Sequence, residues 1–568
     1  MSYQNSRNQM SKKPTYDICI IGSGAGGGPV AYELSRAGYS VVILEKGPWF
    51  KTKDFAKDEI VATRRSVYTP SLLDEPQVLE SQNDAGEWEG IPTYESGRDF
   101  WNGNVVGGSS NFMSGYFHRM KPNDFRLLSA YGEIKGANIV DWPITYEEME
   151  AWFTKVESLI GVSGKVTQHS SLEPRSTQNF PFPPLAENII SSKIDKACGE
   201  LGFMAKPVPR AILSKPVPKR SSCSYSNFCG SYGCATDAKG SSRAALLPGA
   251  IASGNCTVIP NAKVFHLETS DNYKIVKAWY YDENKQKQSI EAKRFVVAAQ
   301  AVETSRLLLM SKGKQFPNGL ANNNGQVGKN LIFSGGGSGS AQFFYDQFSK
   351  EEAIQLAAPG VFVNRSIQHW YEIQDEEFGG TAKGGTVDFL FEHANAMGKA
   401  LRRKWDGDRL VYGSELKENI FNYFTKQRKL NFEVFNDWLP TDNCFVSLDN
   451  KVTDKWNDPV ARIRLGYHPH DLKVGNFLAD KAATVLKQMG GQNIQIGISG
   501  SPPSNLMAGG CRFGNDPKTS VLDKNCRAHE VDNLYITDAS FMPTGGSVPY
   551  SWTIYANSFR VAEILKHI

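Results

Sequence analysis

Three cysteines fall within twelve residues of this chain, Cys223, Cys229 and Cys234 in CSYSNFCGSYGC. The spacing C-x5-C-x4-C is not a disulfide pattern, because pairing any two strands the third. Zinc prefers a closed set of four ligands, and no histidine lies within thirty residues. An iron–sulfur cluster held by thiolates suits a compact cysteine loop, and three reduced thiols is the other reading. Ser, Gly and Tyr surround the cysteines without apolar periodicity, so the segment reads as a loop.

A second constellation lies nearer the N-terminus. YDICII at 16–21 reads as a buried strand, and GSGAGG after it sets Gly22, Gly24 and Gly27 in the spacing G-x-G-x-x-G. Pro29 sits where a first helical turn tolerates it, Ala31, Leu34 and Ala37 keep helical spacing, and Gly38 is a stop. SVVILE then ends a second strand at Glu45. Glycines of this kind let a backbone approach a pyrophosphate at a helix N-terminus, and the acid can accept hydrogen bonds from a ribose. Strand, glycines, helix, strand and acid in that order predict a dinucleotide site.

Other stretches must complete that site. WNGNVVGGSSNFMSG (101–115) is a second glycine-serine loop, and RFVVAAQAVETSRLLLMS (294–311) reads as a strand followed by a helix. NLYITDASFMPTGG (533–546) ends a strand at Asp538 before a helix expected from about 552 to 566. Together with DNCFVSLDN (442–450), DKWNDPVARIRLGYHPHDLK (454–473) and GGCRFGNDPKTSVLD (509–523), these segments resemble the glucose-methanol-choline family of FAD-dependent oxidoreductases nearly end to end.

The resemblance implies an α/β fold: a Rossmann-like FAD-binding domain assembled from 14–150, 195–330 and 495–568, with an α+β substrate domain on an antiparallel sheet over 331–494. Residues 151–194 form an insertion, whose SSLEPRSTQNFPFPP reads as a loop. The implied cofactor is FAD, carried over onto Gly22, Gly24, Gly27, Glu45, Gly107, Gly108, Ser109, Asn111, Val264 and Asp538. Gln300 stands where relatives often have glycine.

Family members usually oxidise an alcohol carbon, with a histidine as proton acceptor and an asparagine or histidine on the facing loop. Here the first position falls on Leu506 in SNLMAGGCRFG and the second on Pro549 in GGSVPYSWT. Neither side chain can move a proton. Three readings stay open: the neighbouring Asn505 and Tyr550 orient the substrate, a base comes from His118, His468 or His470, or alcohol oxidation has been lost. The histidines also have plainer readings, His468 and His470 at a helix start, His118 in packing and His529 in a turn.

Within the family, flavoprotein subunits of the gluconate 2-dehydrogenase and fructose dehydrogenase type also have a cysteine-rich loop. The resemblance therefore implies a 3Fe-4S cluster on Cys223, Cys229 and Cys234, and electrons leaving to a cytochrome c or quinone acceptor rather than oxygen. The expected substrate is a sugar, a gluconate-like sugar acid or a polyol. The competing expectation is a flavin-bearing assembly or electron-relay subunit without alcohol chemistry.

Composition excludes other classes. A net charge of +4 over 568 residues, with no dense basic block, argues against nucleic acid as a partner. No apolar run is long enough for a spanning helix, and MSYQNSRNQMSKKPTYD lacks the apolar core of a secretory signal. Relatives of the type named act at the periplasmic face of the inner membrane with a small signal-bearing partner subunit, so that placement and a cytoplasmic one both stand as expectations.

Overall fold

The computed structural model describes residues 15–55, 58–62, 70–98, 100, 103–358, 360–502 and 506–568. Two large sheets organise it. The first has seven strands, beginning Cys256–Ile259, Val41–Leu44, Tyr16–Ile21 and Lys287–Val297. Its nucleotide half is parallel, with Ile18 opposite Val41 and Ile20 opposite Val296. These strands are buried, as their unbroken Ile and Val runs require.

Lys287–Val297 is long enough to serve two neighbourhoods. Its N-terminal half pairs antiparallel with Ile275–Tyr281, while its C-terminal half pairs with Tyr16–Ile21 and Leu534–Ile536. Helices Gly27–Arg36 and Ser551–Lys566 pack against each other beside this sheet. The expected helix near 552–566 is thus present.

The second sheet runs Gln492–Ile498, Gly337–Phe344, Gln427–Asn436, Gly385–Phe391, Val363–Ile367 and Ala205–Lys206, and every pairing is antiparallel. Along Gln427–Asn436 the apolar Leu430, Phe432 and Val434 join a core with Leu478, Ala482 and Val485 of helix Pro469–Gln488. The alternate residues Lys429, Asn431, Glu433 and Phe435 point the other way and reach the large cavity between the sheets.

Two apolar cores draw on segments far apart in the chain. Helix Ile189–Glu200 contributes Ile190, Ile194 and Ala197 to the second core, and Ala205–Lys206 extends the second sheet. The substrate-side unit therefore recruits chain from before residue 206. Conversely, Cys444–Thr453 and Pro459–Leu465 join Val78–Gln82 and Trp88–Pro92 in a separate sheet, sharing a core with Ala301 and Val302. In both places a buried apolar face, rather than chain order, decides the partner.

Candidate functional site

The nucleotide end is built from two glycine loops that touch. Gly22 follows the first strand at φ +96°, where a Cβ would lie 2.3 Å from the Ala298 carbonyl oxygen. Gly27 begins its helix so close to Gly22 that a Cβ would lie 2.0 Å from that residue's oxygen. At Gly24 a Cβ would meet Gly108 Cα at 3.7 Å and the Gly107 oxygen at 3.9 Å, ordinary contacts, so the loop leaves room where it faces the second loop. The Gly107 N–H donates to Ser23 Oγ at 2.8 Å and ties the loops together.

Glu45 sits at the end of its strand and binds both sides of this junction. Its Oε2 accepts from the Ser23 N–H at 3.0 Å and hydroxyl at 2.5 Å, and its Oε1 accepts from the Gly47 N–H at 3.0 Å. Burial pushes its carboxyl above the usual range against these hydrogen bonds. Asp538 is equally engaged, accepting from Gln300 N–H and Thr304 hydroxyl on one oxygen and from Ser540 on the other.

Gln300 holds a positive φ of 84° that glycine would take freely. Its side chain recovers part of that cost by capping helix Ala301–Met310, with Oε1 accepting from the Val302 and Glu303 N–H groups.

Gly22, Gly24, Glu45, Gly108, Ser109, Val264 and Asp538 all line one cavity of about 1380 Å³. Gly27, Gly107 and Asn111 do not line it; they shape its wall instead. Asn111 is spent on the loop, donating to the Val106 and Gly108 carbonyls at 3.0 Å and accepting from Arg243. One small ligand ordinarily needs about 300–1,000 Å³. A dinucleotide with a substrate beyond it accounts for the larger space.

Leu506, Pro549 and Tyr550 line the same cavity away from Glu45, whereas Asn505 lies outside the described residues. Leu506 packs against an apolar cluster that includes Tyr116, Leu390 and Phe435, which places the second sheet beside it. Tyr550 is buried and its hydroxyl has no hydrogen-bond partner among the described residues. Burial, with the Asp437 charge adding, holds that phenol far above its ordinary pKa, so it is a neutral hydrogen-bonding group and not a base.

The candidate histidines are placed elsewhere. His118 is buried against Asp388, with Nε2 3.1 Å from its carboxylate. His468 caps helix Pro469–Gln488 and reaches the Lys135 carbonyl, while His470 meets the Phe378 ring edge-on. His529 bonds Ser520. None of the four lines the cavity.

Sequence reasoning missed several titratable residues that line it, among them His393 and Glu433. His393 stacks on Phe362 at 4.2 Å, and burial depresses it to about 4, so it is neutral. Glu433 faces the cavity from Gln427–Asn436, and burial pushes its carboxyl up to about 7, with the Tyr116 hydroxyl opposing and the Asp388 charge adding. The alternation in RKLNFEVF was the available signal for Glu433.

The three cysteines border one small cavity of about 50 Å³, together with Arg210 and Lys239. Cys223 Sγ accepts from the Tyr225 N–H, Cys234 Sγ from the Lys239 N–H at 3.4 Å, and Cys229 Sγ from Arg210. Burial raises the Cys223 thiol. Burial also opposes ionisation of Cys234, but the Lys239 charge and nearby N–H groups outweigh it and hold that thiol below its ordinary value. Tyr225, Asn227, Ser231 and Asp237 all take positive φ, so the backbone of this loop is sharply curled. Among the described residues, no group of three or more His, Cys, Asp or Glu is placed to hold a metal ion. The thiols converge on a cavity, not on a point. The loop abuts the main cavity, since Ser231 and Tyr232 line that cavity and Cys229 packs against the same apolar cluster as Leu506.

A parallel nucleotide-binding sheet, two glycine loops and a second sheet across a shared cavity define a dinucleotide-dependent oxidoreductase. Sequence comparison sharpens this: GMC oxidoreductase family models match residues 90–333 and 440–558, together more than half of the chain. The protein belongs to the GMC oxidoreductase family. It is 29% identical to 2-methyl-1,2-propanediol dehydrogenase of Mycolicibacterium austroafricanum over 97% of this chain and 95% of that one. It is 25% identical to the fructose dehydrogenase large subunit of Gluconobacter japonicus, over 97% of each chain. The gluconate 2-dehydrogenase flavoprotein of Pantoea cypripedii is 22% identical, over 93% of this chain and 90% of that one. Among solved structures, pyridoxine 4-oxidase from Mesorbium loti shares the fold, with a TM-score of 0.63 at 16% identity, covering 98% of this chain and all of that one. FAD fits the residues present: a glycine cradle with space at Gly24, a carboxylate at Glu45 and a cavity of sufficient size.

Proposed function

We propose that this family member is a dehydrogenase that oxidises a CH–OH group of a sugar, sugar acid or polyol and delivers the electrons to a partner protein or quinone in preference to oxygen. The observation that carries this reading is the continuity of the cavity, from the glycine loops to the polar face of the second sheet. FAD, when bound, supplies the hydride acceptor. The chain supplies the rest: Gly24, Gly108 and Glu45 hold the nucleotide, and Asn431, Glu433 and Tyr550 offer hydrogen bonds to a hydroxylated substrate. Lys399, Arg402 and Lys429 line the same space, which favours a substrate carrying a carboxylate. The named activities of the relatives, on a diol, fructose and gluconate, support the same class.

The test is flavin reduction by a panel of sugar acids, sugars and diols with a dye as terminal acceptor. Silence across the panel, with dithionite still bleaching the flavin, would favour the relay reading that Leu506 and Pro549 motivate.

For the electron exit, Cys223, Cys229 and Cys234 are the residues that would hold an iron–sulfur cluster, which would supply a one-electron acceptor. The Tyr225 and Lys239 N–H groups, Arg210 and the Lys239 ammonium suit the charge of thiolate-held iron, and the loop lies against the main cavity. Iron and sulfide analysis of anaerobically purified protein decides it; about three irons per chain support it and iron-free active protein refutes it.

The location proposed is a membrane surface. The exposed Leu401, Trp405, Leu410, Tyr412, Phe421 and Phe424 fall in one stretch, 396–425, whose Arg402 also lines the cavity. Arg402, Arg403, Lys404 and Lys417 in that stretch make no ion pair among the described residues, so apolar and basic groups together suit an anionic lipid surface. Among the described residues no helix is long and apolar enough to cross a membrane.

A further inference from the structure

We propose that Glu433 is the proton acceptor of the reaction, doing from the second sheet what the family's histidine would do from the position that Leu506 occupies. The proposal rests on the alcohol-oxidising reading above. In the step, the substrate O–H bond breaks and a new O–H bond forms on the Glu433 carboxylate. The hydrogen of the C–H bond leaves with its electron pair as hydride, for which the proposed flavin is the acceptor, and the alcohol carbon becomes a carbonyl.

Four observations converge on this residue. Strand alternation turns Glu433 away from the core and into the cavity, with Lys429, Asn431 and Phe435 on the same face. Two residues along, Phe435 meets Tyr116 at 5.8 Å, and Leu506 packs against the apolar cluster that contains both, so the carboxylate belongs to the neighbourhood where the family's base is missing. The other candidate bases are engaged or too weak: His118 is held by Asp388, His468 and His470 do not line the cavity, Tyr550 is a neutral phenol, burial pushes the cavity-lining His393 down to about 4, and Glu392 is held by Tyr423 and Lys399.

The fourth observation is the setting. Asp388 is the direct strand partner of Glu433, Ser338 flanks it on the other side, and Tyr116 faces it with a hydroxyl that favours the ionised carboxylate. Arg210 lies over the far side of the Tyr116 ring at 5.8 Å. Burial beside a second carboxylate raises Glu433 to about 7, where it can take and release a proton near neutrality.

The test uses the flavin-loaded protein and whichever of D-gluconate, D-fructose or 2-methyl-1,2-propanediol bleaches the wild-type flavin. Glu433→Gln keeps the shape and should lower the rate of anaerobic flavin reduction by about 10² to 10⁴, with FAD content and dithionite reduction unchanged. Wild type should lose kcat/KM below about pH 7, where Glu433 carries its proton, and the variant should lose that limb. Because the Tyr116 hydroxyl opposes the shift, Tyr116→Phe should move the limb to higher pH.

A readout independent of turnover is carbon-13 NMR of protein labelled at glutamate carboxyl carbons. One resonance should titrate near 7 in wild type and be missing in Glu433→Gln. A variant that reduces flavin at the wild-type rate with the wild-type pH profile overturns the proposal. So does a Glu433 resonance that titrates in the ordinary carboxyl range. A wild-type flavin that none of the three probes bleaches, though dithionite does, overturns the alcohol-oxidising reading itself and the proposal with it.

Discussion

Replacing Glu433 by glutamine should change stability with pH in a direction that its setting dictates. The carboxyl is raised from 4.5 to about 7 in the folded protein, chiefly by burial. Below the unfolded value both states carry the proton and the setting costs nothing. As pH rises from 4.5 to 7, the unfolded chain gives up its proton first, so stability falls across that window and stays reduced above it. At about 1.4 kcal/mol for each factor of ten, the ionised group costs the fold up to about 3 kcal/mol. Glutamine fills the same space without that cost. With ~2.1 cal/mol/K of unfolding entropy per residue, 568 residues convert this to about 3 °C. Thermal unfolding of both proteins should give the same midpoint near pH 4 and a variant about 3 °C more stable at pH 8. A midpoint difference that does not vary from pH 4 to pH 8, or a variant that is less stable at pH 8, would refute the reasoning, because it would mean that the carboxylate is well solvated or favourably paired.

Gly22→Ala forces a side chain into a left-handed turn and against the Ala298 carbonyl; it should cost about 2 kcal/mol or more and strip FAD from the purified protein, measured by flavin absorbance and melting. Tyr550→Phe removes a buried hydroxyl that has no partner among the described residues, so the unfolding midpoint should hold or rise slightly while turnover falls about tenfold, the worth of one hydrogen bond to substrate. Unchanged turnover would show that this hydroxyl orients nothing. Trp405→Glu combined with Leu401→Glu should abolish flotation with anionic phospholipid vesicles and leave dye-linked activity intact; persistent flotation would place the membrane contact elsewhere.

Local chemistry was readable because it depends on short stretches. The turn at Gly22, the strand end at Glu45 and the helix at 551–566 each follow from residues within a few positions of one another. Gln300 at a glycine position was also visible, though not the helix cap that makes it tolerable. What escaped depends on distant pairing. Glu433 looks like any polar residue of a half-exposed strand until Asp388, 45 positions earlier, is paired with it and Tyr116 is packed against it from the other lobe. Helix Ile189–Glu200 went to the second core because its apolar face fits there, and a linear domain boundary could not express that.

The central claim is a flavin reduced by an alcohol through this cavity, and an anaerobic titration of the purified protein tests it most directly. Protein carrying about one FAD per chain, mixed without air with D-gluconate, D-fructose or 2-methyl-1,2-propanediol, should lose its flavin absorbance in proportion to substrate, one two-electron equivalent per flavin, and yield the corresponding carbonyl product. A flavin that stays oxidised with all three, in protein that dithionite bleaches fully, would contradict the account.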